Sequence, residues 1–231
     1  MDLQRVTRLF DHFLDYPVDS PVAIDWAHDL LIAGMLLSKK PARVLELGVG
    51  SGFVSGLIAR ALDMNERGES VCVDNFHDWK GEKPPHILGL EQHKRLTFVF
   101  KDEYAFLKQS PADQYDLIIS DGDLVHAYFF LRDLFRVARK GAVIFFHDTN
   151  NPSFANLQKV ERVVRAHGLS CYHFKERSLP DERTDRGLLM VVKDRHVAVN
   201  IPLGDRMRWQ WRMTREARHG FSKGIFRKKD K

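Results

Sequence analysis

Two periods alternate along this chain. Apolar residues recur at helical spacing over Asp2 to Leu14 and again over Val22 to Leu37, the latter introduced by Asp19-Ser20-Pro21, a capping residue followed by an N1 proline. From Arg43 the pattern changes to short apolar runs bounded by turn residues. Arg43 to Leu47, Ser70 to Asp74, Leu96 to Phe100, Tyr115 to Ser120 and Gly141 to Phe146 read as five strands. Helical spacing returns at Val54 to Leu62, Leu124 to Ala138 and Phe154 to His167. Strands that alternate with helices require a parallel sheet covered on both faces, an α/β doubly wound arrangement. Leu169 to Phe174 and Gly187 to Val192 read as two more strands, joined by the charged segment Glu176 to Arg186 with no helix between them. That pair should be antiparallel. The expected fold is therefore a seven-stranded, mostly parallel sheet with an antiparallel last strand. Residues 1–40 form a helical cap, 41–204 the sheet domain and 205–231 a tail.

Composition fits one such domain. With 231 residues and 44% hydrophobic content, the chain can bury one substantial core. No apolar run approaches the roughly 20 residues a membrane span needs, and the N-terminus lacks a cationic start with an apolar middle. The expected location is cytoplasmic. Cys72 and Cys171 fall in predicted strands and no CxxC occurs, which favours buried thiols over a disulfide or zinc site.

The turn after the first strand carries the most chemistry. Glu46-x-Gly48-x-Gly50-Ser51-Gly52 leads into a helix, and glycines there let backbone approach a ligand while the helix start offers unpaired N–H donors. A dinucleotide fingerprint would need glycine at position 53, which is Phe53. The spacing resembles motif I of the class I S-adenosylmethionine-dependent methyltransferases, a Rossmann-like family. That resemblance implies that the loop wraps the methionine moiety, with Glu46 near its amino group. It covers roughly residues 40 to 195, with later motifs in the family's order. Asp74, ending the second strand, can accept both ribose hydroxyls. Asp102, after the third strand, corresponds to an acid lying against adenine and can also cap the next helix.

Asp121, Asp123, His126, His147 and Asp148 should meet beyond the carboxyl ends of strands four and five. Oxygen ligands there suit Mg²⁺, which can lower the pKa of a coordinated hydroxyl and hold it in line with a methyl group. The pattern resembles metal-dependent O-methyltransferases acting on catechols, sugars and natural products. Carried over, Asp121 and Asp148 match metal ligands, and Asp121 also borders the cofactor. Thr149 stands where the catechol enzymes have asparagine, and His147 where sugar-modifying relatives often have glutamate. Imidazole shifts the expected ion towards Mn²⁺. Many relatives have a basic residue three places after the strand-four acid, where this chain has Leu124. The general base is then His126, or it lies elsewhere, and His147 joins the catalytic candidates.

Asn75 to Pro85 is long and rich in aromatic and breaking residues, fitting either a lid, with Phe76, His77 and Trp79 closing over ligand, or a stiff surface excursion. The basicity is all in the tail. Arg206 to Lys231 carries ten Lys or Arg and two acids, a net of +8 in a chain of net +5. Met207, Trp209, Trp211 and Met213 interleave with Arg206, Arg208, Arg212 and Arg215 at a spacing compatible with a strand or an amphipathic helix. Such a tail suits an anionic membrane surface, a nucleic-acid backbone, a docking role in a homo-oligomer or other assembly, or simply a partly disordered, solvated segment. The expected reaction is methyl transfer from S-adenosylmethionine to a hydroxyl of a small molecule or saccharide, with Mg²⁺ or Mn²⁺ assistance. RNA methylation through the tail and a non-catalytic cofactor-binding partner subunit stay open as alternatives.

Overall fold

The computed structural model describes residues 26–76, 85–123, 126–151, 154–174, 186–209 and 211. The chain divides into two compact units, Met1–Val199 and Asn200–Lys231. In the first, seven strands form one sheet: β1 Arg43–Leu47, β2 Glu69–Asp74, β3 Leu96–Phe100, β4 Tyr115–Ser120, β5 Ala138–His147, β6 Ser170–Phe174 and β7 Leu188–Lys193. Their order is β3-β2-β1-β4-β5-β7-β6. Strands β1 to β5 pair in parallel, and β7 runs antiparallel to both β5 and β6. The sheet thus ends as its sequence pattern predicts.

The helices are α1 Trp26–Lys39, α2 Phe53–Met64, α3 Pro85–Leu90, α4 Glu103–Gln109, α5 Leu131–Val137 and α6 Val160–Ala166. Ile32, Leu36, Leu57, Ile58, Leu62, Val44 and Cys72 belong to a single core in which α1 and α2 cover one face of the sheet. Both cysteines are free and buried. The expected first helix, Asp2 to Leu14, lies outside the described residues, as do His77 to Pro84 of the long loop. Phe76 is described, and its buried ring packs 5.2 Å from that of Phe100, as part of the core rather than as a lid.

Two expected helices differ from their sequence pattern. The helix expected over Leu124 to Ala138 opens as a 3-10 turn, Ala127–Phe130, and becomes α-helical only at Leu131. It stops before Ala138, which pairs with Tyr115 and begins β5 three residues ahead of the expected Gly141. The buried Lys193 ammonium stabilises that junction by donating to Phe135 O at 2.8 Å and Ala138 O at 2.5 Å. The helix expected from Phe154 likewise winds first as a 3-10 turn, Leu157–Lys159. Among the described residues, no helix is long and apolar enough to cross a membrane.

Candidate active site

The glycine turn is held from two sides. Gly48 has φ 86, and a Cβ on it would lie 2.3 Å from both Gly122 N and Gly122 Cα. The turns after β1 and β4 therefore touch backbone to backbone, which only glycine permits. On the other side the Asp74 carboxylate accepts from Val49 N at 2.8 Å, Gly50 N at 2.9 Å and Phe76 N at 2.6 Å. Asp74 shapes the loop, and these three bonds leave about one of the carboxylate's four lone-pair sites for a ribose hydroxyl. Gly52, in left-handed conformation, caps α2. A cleft results, lined by Gly48, Val49, Gly50, Ser51, Phe53, Val54 and Asp121.

Beneath this cleft lies Glu46, fully buried in the middle of the sheet. Its Oε2 accepts from Ser55 Oγ at 2.5 Å, and Oε1 has no hydrogen-bond partner among the described residues. Burial pushes its pKa up to about 8, with Asp74 and Asp121 adding to the rise and Ser55 and Cys72 opposing it. A neutral carboxyl with an orphaned oxygen under a glycine cradle suits a cationic group. Asp102 caps α4 by accepting from Ala105 N at 2.7 Å, as expected, and its side chain is exposed.

Glu103 escapes sequence reasoning. A carboxylate in the first turn of a helix reads as a dipole-favoured surface residue, yet this one turns inward and is buried. Its Oε1 occupies the space where a Cβ on Gly122 would be, and both oxygens accept from Asp123 N at 3.2 Å. Burial raises its pKa to about 8, with Asp74, Asp123 and Asp102 reinforcing the shift.

Among the five residues expected to converge beyond β4 and β5, direct contacts define two groups. Asp121, His147 and Asp148 come together, with one candidate ligand atom from each inside 4.8 Å of the others. His147 Nδ1 lies 2.9 Å from Asp121 Oδ1 and 3.9 Å from Asp148 Oδ2. Burial alone would depress the His147 pKa, but the Asp121 and Asp148 carboxylates together outweigh it and the net shift is upward. Asp148 is raised, chiefly by burial. His147 Nε2 is buried with no partner among the described residues, and Asp148 holds a left-handed φ of 56. Two carboxylates, one imidazole and an unsatisfied ring nitrogen fit an imidazole-tolerant divalent ion such as Mn²⁺. The same groups also form an ion pair when His147 is protonated, so proton and metal would compete.

His126 and Asp123 form the second set. The His126 ring Nδ1 sits 2.7 Å from Asp123 Oδ2 and 3.0 Å from Oδ1. The His126 backbone N–H also donates to Asp123 O at 3.1 Å, so the turn holds the two residues together. Two histidines not singled out in the sequence also adjoin the site. His28, buried on α1, meets His147 edge to face with ring centroids 5.4 Å apart. His173 on β6 bonds Thr149 Oγ1 through Nε2 at 3.0 Å and Glu161 Oε2 through Nδ1 at 2.8 Å. Thr149, next to Asp148, is thereby tied across β7 to α6. Gly187 makes the crossing feasible, since a Cβ there would lie 2.7 Å from Asn150 Cβ and 3.2 Å from His173 Nε2.

Comparison with known proteins finds a matching domain family and similar folds. Residues 45–149 match the family model described as a methyltransferase domain, a span from β1 to the turn after β5. The fold is similar to that of the O-methyltransferase from Bacillus cereus in complex with SAH (14% identity, TM-score 0.60, covering 83% of this chain and 91% of that one). It is also similar to the O-methyltransferase TomG from Streptomyces achromogenes, involved in tomaymycin synthesis and solved with SAM (15% identity, TM-score 0.57, 83% and 90% covered). A third similar structure is the SAH-bound Podospora anserina methyltransferase PaMTH1 (13% identity, TM-score 0.60, 83% and 88% covered). Among curated proteins none matches the sequence.

Proposed function

Starting from a chain that carries a class I S-adenosylmethionine-dependent methyltransferase domain, we propose that it methylates a hydroxyl of a small molecule or saccharide with divalent-metal assistance. One observation carries this reading: Asp121 lines the glycine cleft and also belongs to the Asp121–His147–Asp148 cluster. A single side chain thus borders both the cofactor cradle and the place where an acceptor oxygen could be activated. The bound forms of the similar B. cereus and S. achromogenes enzymes support the cofactor.

When bound, S-adenosylmethionine supplies an electrophilic methyl on a sulfonium. The chain's own groups would hold it: the Gly48 to Gly52 turn lets backbone approach it closely, Glu46 would meet its positive charge, and Asp74 and Asp102 would face ribose and adenine. A divalent ion held by Asp121, His147 and Asp148 would supply Lewis acidity to an acceptor hydroxyl. Direct displacement then asks the protein for alignment and proton removal. Asp123 fixes the ring of His126 through Nδ1, the tautomer in which Nε2 is the basic nitrogen, and this supports His126 as the group that takes the proton.

Labelled-methyl transfer to a panel of saccharide and phenolic acceptors tests the reading. Turnover dependent on Mn²⁺ or Mg²⁺, abolished in Asp121→Ala, is expected. Unchanged turnover in that variant would refute the assignment.

A further inference from the structure

The second unit, Asn200–Lys231, presents an exposed surface whose residues belong to neither the glycine cleft nor the Asp121–His147–Asp148 cluster. Residues 203–209 are helical, with Trp211 in the same conformation. The ambiguity between strand and helix in the tail is thereby resolved for these residues. Helical geometry matters because it sorts the side chains. Leu203, Met207 and Trp211 recur every four residues and form one stripe, whereas strand geometry would put them beside Trp209 on a single face. All three are strongly exposed, at 71%, 61% and 67%. Trp209, on the opposite side, is half-buried. Arg206 and Arg208 immediately flank Met207, each about 100° round the helix from it. Exposed apolar side chains at the centre of a helix face with cations at both margins are the pattern of a helix lying in a lipid interface.

We infer that the helical residues 203–209 and 211 are a docking surface for an anionic lipid bilayer, seating Leu203, Met207 and Trp211 at the headgroup boundary with Arg206 and Arg208 against the lipid phosphates. Charge selects this occupant. The residues from Arg206 onward carry a net +8, whereas the preceding chain is net acidic. Single interfacial anchors bind marginally and reversibly, so the cations supply the second signal that stable attachment requires. A nucleic-acid arm would use the same cations but gives no reason for an aliphatic residue and a methionine at the centre of the exposed stripe. This inference is independent of the methyltransferase reading.

Flotation of the full chain with vesicles provides the test. The protein should float with phosphatidylglycerol–phosphatidylcholine vesicles, stay behind with pure phosphatidylcholine, and be released by high salt. The triple variant Leu203→Ser, Met207→Ser, Trp211→Ser should bind at least about tenfold more weakly. The double variant Arg206→Gln, Arg208→Gln should lose affinity for anionic vesicles and provides a second reading should the triple variant misfold. Binding of both variants at the native level would overturn the inference. So would failure of the native chain to float with anionic vesicles, or its tighter binding to single-stranded RNA than to lipid.

Discussion

Glu46 is a carboxyl whose charge the fold disfavours. It titrates at about 8 because burial penalises its ionised form, so at pH 7 it is mostly neutral. A cation seated over the glycine turn favours the carboxylate, and binding must then release a proton. Cofactor affinity should accordingly rise with pH up to about 8 and level off above it. Titration calorimetry in buffers of differing ionisation enthalpy should show that proton release at pH 7, and Glu46→Gln should abolish it. A release unchanged in Glu46→Gln would place the titrating group elsewhere. His126 makes a different demand at this scale. Its bond to Asp123 orients one ring nitrogen, so His126→Ala should lower kcat by about 10²–10⁴-fold with little change in cofactor affinity. Steady-state kinetics separates the two parameters, and an unaltered kcat would remove it as base.

Elements carry these groups to one place, and here the limits of sequence reading become physical. Strand and helix alternation, the antiparallel β7 and the glycine turn are legible because each depends on local period or local backbone freedom. The Asp121–His147–Asp148 cluster is legible too, since parallel strands deliver their carboxyl ends to one edge. Glu103, His28 and His173 are not. Each reaches the site from a separate element, α4, α1 or β6, and nothing local distinguishes it from a solvated residue. The start of β5 is missed for a related reason: Ala138-Arg139-Lys140 looks like a basic helix end, but pairing with Tyr115 draws it into the sheet. The tie from Glu161 through His173 to Thr149 holds the turn where Asp148 keeps its left-handed backbone. Gly187→Ala should loosen it, because φ there is 68 and the new Cβ would press on Asn150. A loss of about 1–3 kcal/mol in urea-induced unfolding is expected. Wild-type stability in that variant would show that the crossing has slack.

At the scale of the whole molecule, a first compact unit, whose residues 45–149 match a methyltransferase domain, is followed by a basic second unit. The two divide the work on this account: cradle and cluster lie within Met1–Val199, and the exposed apolar helix lies beyond it. Removing residues after Gly204 should therefore leave cofactor binding intact while abolishing flotation with anionic vesicles. Loss of cofactor binding in the truncated chain would show that the tail helps build the site. The most direct measurement is calorimetric titration of the full chain with S-adenosylhomocysteine and, separately, with Mn²⁺, for the native protein and Asp121→Ala. The native chain should bind both ligands, and the variant should keep S-adenosylhomocysteine binding but lose the Mn²⁺ heat. A native chain that binds no S-adenosylhomocysteine would contradict the cradle, and a variant that still binds Mn²⁺ as the native chain does would contradict Asp121 as the residue joining cofactor to metal.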